Sequence, residues 1–254
     1  MILTDLTDSD KARVTKLFPM LISSRPGAGK SRSIEQLPEE ELKRTIFIDI
    51  ENKGAPNLVD EDFYRVIRIK PAGMVPPEEA HLYVDNDAVK FKTLLELQTY
   101  IRKALTLDKI DRIVIDSFSA LVDQLEAHYV TVSNGFVTWT NYSKELTAWF
   151  SLLKSETRFN KKFVYVLGHY TPSKNNKDVD AEKFTKVKGT MHYRMVESNF
   201  NSVLTIDDHK FIADNDNEYD STRINDKLNP LNLEDNSIEK LEALIVETFA
   251  KENK

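Results

Sequence analysis

The chain has 254 residues, a formal net charge of −6 and no cysteine. That length suits one large α/β domain with at most a modest appendage, and the lack of thiols excludes a disulfide framework, a zinc finger and a cysteine nucleophile. With 41% hydrophobic and 30% charged residues the composition is that of a globular protein, and the acidic balance excludes nucleic-acid binding by bulk charge, leaving a local basic patch or a ring that concentrates such patches.

Residues 1–8 show neither a basic nor an apolar region of a secretory signal. No apolar run approaches the ~18 residues of a membrane span, so a soluble, cytoplasmic protein is expected. The first apolar run, residues 17–22, reads as a buried strand despite Pro19. It leads into Ser24-Arg25-Pro26-Gly27-Ala28-Gly29-Lys30-Ser31, followed by Arg32. This is one residue short of G-x-x-x-x-G-K-[ST], because Ser24 stands where the first glycine is expected. In such a loop small residues let backbone N–H groups turn inward around a polyphosphate. The lysine ammonium reaches the β- and γ-phosphates, and the serine hydroxyl ligates Mg²⁺. Residues 31–37 then read as a helix. A glycine-rich surface turn is the plainer alternative.

Residues 45–50 form a second strand, ending in acid at Asp49 and Glu51; a carboxylate beyond the strand tip can activate water, or lie in a solvated loop. Residues 64–69 alternate as a strand, and Pro71, Gly73, Pro76 and Pro77 break structure before a helix over 91–105. The strand 112–116 ends in Asp116, placed either to hold Mg²⁺ or to cap the next helix. Helical stretches follow at 120–129 and, after an Asn134-Gly135 turn, at 139–155, with Trp139, Leu146, Trp149, Phe150 and Leu153 at helical spacing. The strand 162–167 leads to His169, either a γ-phosphate neighbour or a structural histidine. A lysine-rich stretch runs to residue 188. Residues 201–206 and 210–213 predict a hairpin turned by Asp207, Asp208 and His209, and 237–249 a helix with Leu241, Leu244, Ile245 and Phe249 on one face. Strands alternating with helices indicate a mainly parallel sheet with helices on both faces and an antiparallel hairpin at one edge. The main domain is expected over 1–235, with a helix in 236–254 packed on the core or on a partner.

The phosphate loop, F-I-D-I-E-N-K-G (47–54), I-V-I-D-S-F-S-A-L (113–121) and V-Y-V-L-G-H-Y (164–170) together resemble the RecA-like P-loop ATPases. More narrowly, they resemble the short phage-encoded branch called phage nucleotide-binding proteins, which serves single-strand annealing and recombination. The resemblance covers roughly residues 17 to 230 and rests on the order and spacing of four motifs. It implies an ATPase using ATP and Mg²⁺, with Ser24 to Arg32 on the nucleotide, Ser31 and Asp116 on the metal and Glu51 as catalytic base. His169 would be the γ-phosphate sensor leading into a DNA-contacting loop over 170–188. In that loop Lys174, Lys177, Lys183, Lys186 and Lys188 would meet phosphates, and Tyr170 or Tyr193 would stack on bases; a solvated lid is the alternative.

The implied function is ATP hydrolysis on single-stranded DNA in phage recombination or replication, as a homo-oligomeric ring or filament in the host cytoplasm. Lys186, Lys188 and Arg194 are positional candidates for a basic finger reaching a neighbouring subunit. A nucleotide-dependent assembly or loader protein, controlled by a protein partner, is the competing reading.

Overall fold

Strands that are apolar along their whole length need cover on both faces, and this requirement organises the fold. The computed structural model describes residues 3–50, 65–69, 82–84, 94–129, 136–172, 183–185, 196–213 and 222–250. In chain order they form α1 (Asp8–Val14), β1 (Met20–Ser24), α2 (Lys30–Glu35), α3 (Glu39–Leu42), β2 (Thr45–Asp49), β3 (Arg65–Ile69) and β4 (Leu82–Val84). Next come α4 (Leu94–Leu105), β5 (Arg112–Asp116), α5 (Phe118–Tyr129), α6 (Phe136–Asn160), β6 (Phe163–Pro172) and β7 (Lys183–Thr185). The hairpin β8 (Ser202–Asp207) and β9 (Lys210–Ala213), the short β10 (Leu231–Asn232) and α7 (Ile238–Ala250) complete it.

The sheet runs β10-β9-β8-β1-β6-β5-β2-β3-β4, with β7 paired to β6. The pairings from β8 through β1, β6, β5 and β2 to β3 are all parallel. The expected α/β class and mainly parallel sheet are therefore present. The expected antiparallel hairpin is present at one edge as β8–β9, with β10 beyond it, and β4 also pairs antiparallel with β3 at the other edge. β4 is three residues long and follows the Pro/Gly stretch, so no period could develop there.

Alternation along the strands sorts the core into two layers. Leu21, Ile46, Ile48, Ile113, Ile115, Val164 and Val166 face α4, α5 and α6. Met20, Ile22, Phe47, Val114, Tyr165 and Leu167 face α1, α2 and α7. Helices thus cover both faces. Of the stripe on α6, Leu146, Trp149, Phe150 and Leu153 are buried, whereas Trp139 is exposed. On α7, Leu241 and Ile245 are fully buried in the chain's own core.

β1 begins three residues later than its apolar run. Thr15–Leu17 is a 3-10 turn, and Pro19 has no N–H for a ladder; its carbonyl instead accepts from Asn201 N–H at 3.0 Å. The strand consequently reaches Ser24. Among the described residues, no helix is long and apolar enough to cross a membrane.

Candidate functional site

Parallel strands bring their carboxyl ends to one edge of the sheet, where ligands of such folds sit. Ser24 ends β1 in register with His169 on β6 and Ile206 on β8. Being extended, it has no need of a glycine's freedom, which accounts for serine at that position. The backbone turns immediately afterwards: Ala28 N–H donates to the Arg25 carbonyl at 3.3 Å. Gly27 and Gly29 lie at φ 82° and 92°, where L side chains are strained. A Cβ on Gly29 would also lie 3.0 Å from Asn236 Nδ2 and 3.3 Å from His209 Nδ1. Arg25, Pro26 and Gly27 are exposed at the tip, and Arg32 is exposed on α2.

Lys30 opens α2 and its side chain folds back beneath the loop, only 6% exposed. Its ammonium donates to Ser24 Oγ at 2.9 Å and to the Arg25 carbonyl at 3.4 Å, and lies 3.1 Å from His169 Nδ1. An ammonium can only donate, so in this contact Nδ1 is the acceptor. His169 is held in place from α5, where Ser119 Oγ accepts its backbone N–H at 3.0 Å.

Ser31 Oγ donates to Asp116 Oδ2 at 2.6 Å. The cap of α5 is Ser117, whose Oγ accepts Ala120 N–H at 3.2 Å, so the capping alternative for Asp116 falls to its neighbour. A hydroxyl and a carboxylate side by side are hard oxygen donors. They fit Mg²⁺, which takes few protein ligands and leaves its other positions to water and phosphate oxygens.

Strand β2 ends beside this pair. Asp49 is in register with Asp116 and buried, and Ile50 N–H donates to the Asp116 carbonyl at 2.6 Å. Glu51 follows directly in sequence but lies outside the described residues. So do Lys174, Lys177, Lys186, Lys188, Tyr193 and Arg194.

The stretch after His169 is not wholly a loop. β6 continues to Pro172 and pairs antiparallel with β7, setting Lys183 opposite Pro172. Tyr170 is 5% exposed, so it offers no face for base stacking. The structure thus gathers Ser24, Lys30, Ser31, Asp116 and His169 at one strand-end crevice. It adds two neighbours that motif reasoning missed, Asn236 and His209. His209 was read only as a hairpin-turn residue, and Asn236 carried no motif signal.

No protein-family profile matches this chain, and neither does any curated protein.

Proposed function

We propose that the chain is an ATP-binding and ATP-hydrolysing RecA-like protein of phage recombination or replication, acting on single-stranded DNA as a homo-oligomer. The observation that supports this best is the convergence of Lys30, Ser31, Asp116 and His169, from three separate parallel strand ends, on one glycine-turned loop. A lone G-K-S turn has no reason to collect an acid and a histidine from distant strands.

In this reading the ammonium of Lys30 binds the β- and γ-phosphates, replacing its contacts with Ser24 and His169 by charged ones. Ser31 and Asp116 hold Mg²⁺, which supplies charge neutralisation at the phosphates. His169 exchanges its Lys30 contact when phosphate arrives or leaves. It passes the change along β6 to the β6–β7 hairpin and the lysines around it. Glu51, which follows β2 by two residues in sequence, positions and deprotonates the attacking water. Replacing Glu51 with Gln is expected to abolish turnover while nucleotide still binds; undiminished hydrolysis would remove Glu51 as base.

ATP hydrolysis measured with and without single-stranded DNA tests the whole reading. Strong stimulation is expected. Joint Ala replacement of Lys183, Lys186 and Lys188 is expected to weaken DNA affinity and flatten its salt dependence. Unchanged affinity and slope in that triple variant would take the lysines out of DNA binding. Hydrolysis indifferent to DNA would favour the loader alternative, although α7, the surface offered for a partner, is packed on the chain's own core.

A further inference from the structure

We propose that Asn236 is a positioning residue for the phosphate loop, holding the Gly29–Lys30 peptide so that the Lys30 N–H faces the bound phosphates. This rests on the nucleotide reading above and extends it to a residue far away in sequence. Asn236 is 3% exposed, and its Nδ2 donates to the Gly29 carbonyl at 3.0 Å. The same carbonyl accepts Ser33 N–H at 3.0 Å, at the start of α2. Two donors therefore fix that oxygen from different elements. In a trans peptide the C=O and the following N–H point in opposite directions. Pinning the Gly29 oxygen away from the crevice turns the Lys30 N–H toward it.

The anchor is itself rigid. Asp235 Oδ1 accepts Ser237 N–H at 3.1 Å and Ser237 Oγ accepts Lys240 N–H at 3.4 Å, which sets the turn into α7. Ile238, Leu241 and Ile245 are fully buried and seat that helix on the core. Asn236 thus ties the loop to the core through α7 rather than through α2 alone. Its closeness to the position of a Gly29 Cβ also makes the glycine and the asparagine a matched pair.

The test uses the full chain with Asn236→Ala and the isosteric Asn236→Asp. Calorimetric ATP binding, steady-state hydrolysis, and melting without nucleotide are measured for each. Alanine removes one hydrogen bond to the loop, so Kd and KM are expected to rise about fivefold, with kcat falling by less than KM rises. Aspartate keeps the volume but sets an acceptor and a negative charge against the Gly29 carbonyl, and its Kd is expected to rise further, about twentyfold or more. Nucleotide affinity unchanged in both variants, with only the melting temperature lowered, overturns the proposal and leaves Asn236 a purely structural residue. A fall in kcat at unchanged Kd overturns it equally. If the unsubstituted protein binds no nucleotide, the reading of the site fails first, and this positioning role fails with it.

Discussion

Replacing Lys30 with methionine is expected to lower ATP turnover by about a hundred- to a thousandfold or more, the scale seen when one preorganised charge or donor is removed from a reacting centre. Methionine keeps the unbranched stem that lies under the loop, at 6% exposure, and deletes only the charge. The ammonium sits between Ser24 Oγ and His169 Nδ1, and in the proposed reaction it exchanges those neutral partners for phosphate oxygens. Lys30→Arg is expected to fail nearly as badly. A planar guanidinium is larger than the compact ammonium that fits between those partners, and its donors spread in a fixed fork. Calorimetry with ATP and a phosphate-release assay read both effects. Turnover retained in Lys30→Met would show that residues 24–31 are not where phosphoryl chemistry occurs.

The parts of this site visible in the sequence are those where local chemistry dictates the residue. Gly27 and Gly29 answer a backbone demand at positive φ, and Asp116 ends a strand in which the three residues before it are apolar. Strand order could not be read, yet the alternation of strand and helix sufficed to bring β1, β5 and β6 to one crevice. Ser24 looked like a defect only while it was assigned to the turn; as the last residue of β1 it needs no special conformation.

What escaped depends on long-range meeting. Asn236 reaches Gly29 across 207 residues, from a turn with no motif of its own. The β6–β7 pairing was hidden because lysines and acids in 171–188 mask the period of a strand. A signal overlooked was charge inside apolar stripes. Glu242 lies between Leu241 and Ile245 on α7, and Arg112 directly precedes the apolar run Ile113–Ile115 on β5.

Those two residues make the largest stability prediction. Arg112 is 1% exposed and its Nε donates to Glu242 Oε1 at 2.6 Å; its Nη2 meets both Glu242 Oε2 and Glu41 Oε2. Tyr165 donates to Glu242 Oε1 at 3.0 Å. Two buried carboxylates thus share one cation, joining α3, β5, β6 and α7. Removing the cation strands both charges, so Arg112→Met is expected to cost about 3–5 kcal/mol of folding stability in urea titrations.

The pH dependence identifies the cause. Burial works against the Arg112 charge, but Glu242 and Glu41 outweigh it and hold its pKa above the ordinary value. Burial likewise pushes the Glu242 carboxyl up, against the opposing pull of Arg112 and the Tyr165 hydroxyl. Without Arg112 that carboxyl rises further. A carboxyl raised in the folded state stabilises fully below its unfolded value, about 4.3, and loses that contribution as pH rises through the folded value. The deficit of Arg112→Met should therefore be largest at neutral pH and shrink as pH falls toward the glutamate range. Adding Glu242→Gln in that background removes one of the two stranded charges and should recover a substantial part of the loss at pH 7. A deficit that is the same at pH 5.5 and 7.5, and untouched by Glu242→Gln, would mean that Arg112 stabilises by packing against Phe163, whose ring centre lies 5.8 Å from the guanidinium carbon, and not by charge.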